Sequence, residues 1–86
     1  MKIEKKTWKR QFQDILDGKK NFDVRLYDFE CKEGDTLVLR EWDEDVGKYT
    51  GRTIEKVITY VSKVNDFKFW KKEEIDKYGL QVIGFK

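Results

Sequence analysis

Apolar residues recur along the first third of the chain with two different periods, and the change between them marks its first boundary. Trp8, Phe12, Ile15 and Leu16 follow at helical spacing and would line a single face, with Lys9, Arg10, Gln13, Asp14 and Asp17 opposite. Thr7 offers a side-chain oxygen as N-cap, and Gly18 stands where a left-handed residue ends a helix without a Cβ penalty, so the pattern predicts a helix over residues 8–17. Ahead of it, residues 2–5 alternate polar and apolar and predict a short first strand. From Phe22 the period falls to two: Phe22, Val24 and Leu26 face one way and Asp23 and Arg25 the other, the mark of a half-buried strand.

The later segments keep the short period. Residues 27–35 form a loop whose Glu33-Gly34-Asp35 end is a turn. Residues 36–42 predict a strand with Leu37, Leu39 and Glu41 on one face and Val38, Arg40 and Trp42 on the other. Residues 43–51, with two glycines and a cluster of acids, predict a hairpin connection with an exposed tip. A long strand follows over residues 52–64, and a strand of that length bends or carries a bulge when it joins a barrel. Residues 71–78 suit one or two helical turns ending at Gly79, or an ordered loop, and residues 80–85 a last strand in which Gly84 permits close backbone approach. Many strands with few helices predict an α+β fold. The expected form is a small barrel of five or six strands with one N-terminal helix plugging an end and a short second helix.

Composition agrees with one small folded domain over residues 1–86. Charged residues reach 42%, but aromatics reach 15% and bury a large area each, so the chain carries a core. Cys31 is the lone cysteine and there is no histidine, which excludes an internal disulfide and a Cys/His zinc site; no metal or cofactor is expected. No apolar run approaches the ~20 residues of a membrane span, and the first residues lack a signal-peptide core, which together predict a cytoplasmic protein with no membrane partner. The net charge is only +2, but it is unevenly spread. Residues 1–25 hold eight Lys/Arg against four Asp/Glu, residues 26–47 two against eight, and residues 48–86 nine against five, so basic and acidic faces are expected.

The densest candidate chemistry lies at the helix–strand junction. Lys20 sits in the link, and Asp23 and Arg25 share a strand face about 6.5–7 Å apart. Lys and Arg together attract phosphate or a carbonyl oxygen, and Asp23 between them orients a cation, accepts from a base edge or takes a proton. The plainer alternative is a solvated Asp–Arg pair on the outer face of a surface strand, worth little in stability. Arg40 and Trp42 extend the set as a basic residue beside an aromatic one, and Trp42, Tyr49, Tyr60, Phe69 and Trp70 are the rings available for stacking. Lys5-Lys6, Lys9-Arg10 and Lys71-Lys72 suit backbone contacts. No Gly-rich phosphate loop, Ser/His or Cys/His nucleophile pair or metal-ligand spacing occurs.

At these residues the chain resembles the ASCH group of the PUA-like superfamily. Gly18-Lys19-Lys20 followed by Phe22-Asp23-Val24-Arg25 is similar to its Gly-x-Lys-x-x-Glu-x-Arg pattern, with Asp23 in place of Glu. Gly34-Asp35, the strand from Leu37 to Trp42, Tyr49-Thr50-Gly51-Arg52 and Tyr78-Gly79-Leu80 resemble a small bacterial and phage branch of it. The resemblance implies a PUA-like β-barrel with a cleft and an association with RNA or modified nucleobases. Some small ASCH proteins are amidohydrolases acting on N4-acetylcytidine. In those, a Lys matching Lys20 is catalytic with a Thr, here Asp23, and a later Glu, for which Glu41, Glu73 and Glu74 are candidates.

The leading expectation is therefore a module that binds RNA or another nucleic acid through Lys20, Asp23, Arg25, Arg40 and Trp42. An amidohydrolase of acylated nucleosides using Lys20 and Asp23, and a protein-interaction domain using the acidic hairpin, are the alternatives.

Overall fold

The computed structural model of the chain describes residues 1–26, 28–63, 73, 76, 77 and 79–86. Its first strand, β1, runs Lys2–Trp8, longer than residues 2–5, and passes directly into the helix α1, Lys9–Leu16. Trp8 occupies the N-cap position in extended backbone and makes no side-chain cap hydrogen bond. Two expectations are thereby corrected. Thr7 is not the cap but a strand residue with its side chain buried, and Trp8 belongs to the strand, 58% exposed. The residue before the first helical turn keeps the direction that strand alternation gives it, so helical spacing to Phe12 did not place it on the helix face. With only eight residues, α1 buries Phe12 and Ile15 and leaves Leu16 exposed.

The end of α1 fixes Lys20. Gly18 takes φ +78, the left-handed conformation that its place after the helix predicted. The amides of Lys19 and Lys20 both donate to the Asp14 carbonyl, at 2.9 and 3.1 Å, so the link folds back against the helix.

Four further strands follow: β2 Phe22–Leu26, β3 Thr36–Asp43, β4 Lys48–Lys63 and β5 Leu80–Phe85. They form one five-stranded sheet in the order β1-β3-β4-β5-β2, with β1 and β3 parallel and the other pairs antiparallel. Long β4 spans both halves, pairing β3 with its first part and β5 with its last. The expected irregularity lies between Ile58 and Tyr60, where the register shifts. Because of that extra residue Ile58 and Val61 both turn toward the core while Tyr60 points out. The sheet curls into a half-barrel around Phe12, Ile15, Leu37, Leu39, Ile58, Ile83 and Phe85.

The face of β2 is the reverse of a surface pair over an apolar underside. Asp23 is 6% exposed and Arg25 is half-buried, while Phe22, Val24 and Leu26 on the other face are 44%, 49% and 53% exposed. The partner strand sets this. Asp23 pairs with Ile83 and Arg25 with Gln81, and residues opposite one another in an antiparallel pair share a face. Ile83 and Gln81 are fully buried, so β2 turns its charges inward with them.

The expected hairpin is present with a shorter connection than 43–51: Asp43 ends β3, Lys48 opens β4, and residues 44–47 between them are closed by the Gly47 amide on the Asp43 carbonyl at 2.8 Å. Glu73, Asp76 and Lys77 are helical, and the rest of the expected second helix, with Phe69, Trp70, Lys71, Lys72, Glu74 and Tyr78, lies outside the described residues. Among the described residues no helix is long and apolar enough to cross a membrane.

Candidate functional site: the seam between the edge strands

The two edge strands, β1 and β2, face each other across the mouth of the half-barrel, and one side chain bridges them. Arg25 donates from Nη2 to the Lys6 carbonyl at 2.8 Å and to Thr7 Oγ1 at 3.1 Å, and from Nε to Asp23 Oδ2 at 2.7 Å. The sheet is thus drawn together by a guanidinium where a closed barrel has a backbone ladder. Asp23 fixes the guanidinium plane, and its own burial is compensated by that charge. Beside the bridge lies an open groove of about 400 Å³, walled by Lys6, Thr7 and Trp8 of β1, Gln11 of α1, Lys20 of the link and Asp23, Val24 and Arg25 of β2. The Lys20 amine donates to Gln11 Oε1 and lies 5.4 Å from the centroid of the Phe22 ring. Sequence reasoning brought Lys20, Asp23 and Arg25 to one place, and the structure keeps them together. It missed Thr7, Trp8 and Gln11.

Arg40 and Trp42 stand elsewhere, on the outer face of β3. There Lys6 Nζ lies 3.8 Å above the Trp42 ring, the Arg40 guanidinium lies 3.9 Å above Tyr49, and the Trp42 and Tyr49 rings meet edge to face at 5.0 Å. Lys6 and Trp8, at the lip of the groove, join this face to it. The alternation of Lys2, Glu4, Lys6 and Trp8 on one strand face was the signal that would have found Trp8.

Of the carboxylates expected as partners of Lys20, Glu41 is already engaged. Glu41, 5% exposed, accepts Arg52 Nε at 2.9 Å, Arg52 Nη2 at 2.8 Å and Thr50 Oγ1 at 2.6 Å. Arg52 also donates to Gln13 Oε1 at 3.0 Å, tying β4 to α1. The Arg52 guanidinium holds the Glu41 carboxyl below its ordinary value near 4.5 against the opposing effect of burial, and the Thr50 hydroxyl adds to it. Glu73 is exposed, and Glu74 lies outside the described residues. The acidic hairpin is likewise tethered, with Lys9 Nζ 3.2 Å from Asp43 and also bound to Asp45. The Asp45 amide first, and then Lys9, lower the Asp43 carboxyl, and the two aspartates raise Lys9.

A lowered folded pKa gives stability that is complete above the unfolded value and is lost as pH falls through the folded one. Thermal melts are therefore expected to be level from neutral pH down to about 4.5 and to fall below it. Glu41→Gln should melt lower at neutral pH and fall less steeply in acid; a wild-type midpoint unchanged down to pH 3 would contradict this (a range set by ordinary carboxylate values, roughly 4).

Cys31 is half-buried, donates its thiol to Gln81 Oε1 at 3.8 Å, and is pushed above its ordinary value by burial, so it is held as the thiol rather than as a nucleophilic thiolate. Among the described residues no group of three or more His, Cys, Asp or Glu is placed to hold a metal ion.

Comparison with known proteins places this geometry in a group without an assigned activity. Residues 3–75 match the family model described as a domain of unknown function, DUF3850. An uncharacterised 12.9 kDa protein in the GpA 3′ region of Escherichia phage P2 is 39% identical over 64 residues, covering 74% of this chain; the match takes in 57% of that relative's length. The crystal structure of hypothetical protein PH0355 superposes with a TM-score of 0.68 at 19% identity, over 100% of this chain and 98% of that one, and shows a shared fold.

Proposed function

We propose that this chain, which belongs to the DUF3850 family, binds single-stranded RNA through the groove between its edge strands. The observation that carries the proposal is the make-up of that groove, where Lys20, Lys6 and Arg25 lie with the exposed ring of Trp8 around an open volume whose one acid among the described residues, Asp23, is already paired with Arg25. A phosphate gains from Lys20 and Lys6, and a base gains from the Trp8 ring. The inward-facing Asp23 and Arg25 and the cleft beside them also support the resemblance to the ASCH group, and the PUA-like barrel and a cytoplasmic RNA partner belong to this proposal. Binding is favoured over hydrolysis because both groups that an amidohydrolase would use are committed, Asp23 to Arg25 and Lys20 to Gln11.

Affinity for a labelled single-stranded RNA pool, followed by fluorescence anisotropy, is expected to fall with salt with a log–log slope of about −1.5 to −2, from two or three neutralised phosphates. Lys20→Ala should make that slope shallower by about 0.7. No binding at low salt, or an unchanged slope in Lys20→Ala, would overturn the proposal.

A further inference from the structure

The outer wall formed by β1, β3 and β4 carries two rows of side chains that start at the lip of the groove, with Lys6 and Trp8, and run beyond it. The strand registers align Lys6 with Arg40 on one row, and Trp8 with Trp42 with Tyr49 on the next. Partners in register share a face, and the rows lie about 6.5–7 Å apart along the strands. A cationic row thus runs beside an aromatic row, both perpendicular to the strands. At the other end of the same wall Lys2 pairs with Glu55 at 3.1 Å, as cations on a solvated sheet commonly do. Lys6 and Arg40 instead rest on the rings of Trp42 and Tyr49, and among the described residues neither has a carboxylate partner.

We infer that this wall is a stacking platform for single-stranded nucleic acid that continues the groove; the inference rests on the groove reading for the nucleotide at its end. The cationic heads of Lys6 and Arg40 lie over the rings at 3.8 and 3.9 Å, so positive charge for a phosphate and flat faces for a base meet on one strip of the wall. The phosphates follow Lys6 and Arg40. One base lies on the exposed face of Trp8, and the next on the outer plane of the Arg40 guanidinium, which Tyr49 backs at 3.9 Å. Asp43 follows Trp42 on β3, and the acids at residues 43–45 lie beyond the aromatic row, so a phosphate backbone is favoured only on the cationic side. Trp8 lies at the lip of the groove, and the path is continuous from Tyr49 to Lys20. The occupant is a strand of about three nucleotides or more, with unpaired bases, because a duplex hides the base faces that the rings and the guanidinium would meet.

Calorimetric titration of the full chain with mono-, tri- and hexa-adenylate at low salt tests this, with poly-glutamate as the acidic-peptide control. Affinity should rise about tenfold or more from the mononucleotide to the trinucleotide. Arg40→Ala, Arg40→Lys and Tyr49→Ala should each abolish most of that gain and leave mononucleotide affinity unchanged, whereas Tyr49→Phe should keep it; the melting curve of each variant reports its folding. The same affinity at all lengths overturns the platform, as does a gain that survives the Arg40 and Tyr49 changes, or poly-glutamate binding with the same Tyr49 dependence. Lys20→Ala separates the two sites. If it abolishes mononucleotide binding while no length gain exists, the groove stands and the platform falls. If adenylate strands bind through Arg40 and Tyr49 with no mononucleotide binding at all, the platform stands and the groove falls.

Discussion

Arg25→Ala is expected to destabilise the fold by about 3 kcal/mol, the lower end of the range for breaking a buried ion pair because the Arg25 side chain keeps some contact with water. The loss has three parts. The Asp23 carboxylate stays buried without its charge partner, the Lys6 carbonyl loses a donor where β1 has no strand neighbour on that side, and Thr7 Oγ1 loses another. A domain of this size holds roughly 4–13 kcal/mol in total, so the midpoint of urea unfolding should move far. A second variant separates charge from shape. Asp23→Leu with Arg25→Met replaces the pair by apolar groups of similar reach and should recover most of the loss, since a buried pair is commonly matched by packed hydrophobics. A change below about 1 kcal/mol in Arg25→Ala would mean that the pair behaves as an exposed one and that the seam is held by other contacts.

That Asp23 and Arg25 share a face followed from the two-residue period. Which face followed only from β5, since Gln81 and Ile83 decide what is inside, and their pairing with β2 joins residues far apart in the chain. Local pattern carries no information about that partner. For this reason Arg25 is a poor probe of binding despite its place in the groove: removing it opens the seam. Lys20, whose amine among the described residues meets Gln11 and the Phe22 ring, is the better one.

Trp8 failed to be recognised for a different reason. Its spacing to Phe12, Ile15 and Leu16 fits a helix and its spacing to Lys6 and Glu4 fits a strand, and both patterns are present because the strand runs into the helix with no loop between. The bulge in β4 and the glycine that ends α1 were legible because their causes are local, the length of one strand and the missing Cβ of Gly18. The division of the five expected binding residues between groove and outer wall was not. It depends on β1 lying parallel to β3, and no short-range signal specifies a pairing between strands that are not neighbours in sequence.

Trp8→Ala is expected to lower affinity for single-stranded RNA by about five- to a hundredfold, the range for removing one stacking ring, and to leave the melting temperature nearly unmoved. Both halves of that expectation follow from its position. At 58% exposure the ring buries little apolar surface, so its removal costs the fold little, and none of the core residues packs through it. Yet it alone belongs to both the groove and the row of rings on the outer wall, so its loss takes away the contact that joins them. Trp8→Phe should restore most of the affinity, because stacking needs a flat face more than an indole N–H. Trp8→Leu, which keeps apolar bulk without a flat ring, should not. Anisotropy titrations of the three variants at one low salt concentration decide the matter. Equal affinity in Trp8→Leu and wild type would remove stacking from the proposal and leave a purely electrostatic site, for which the salt slope set by Lys6 and Lys20 would then be the whole account.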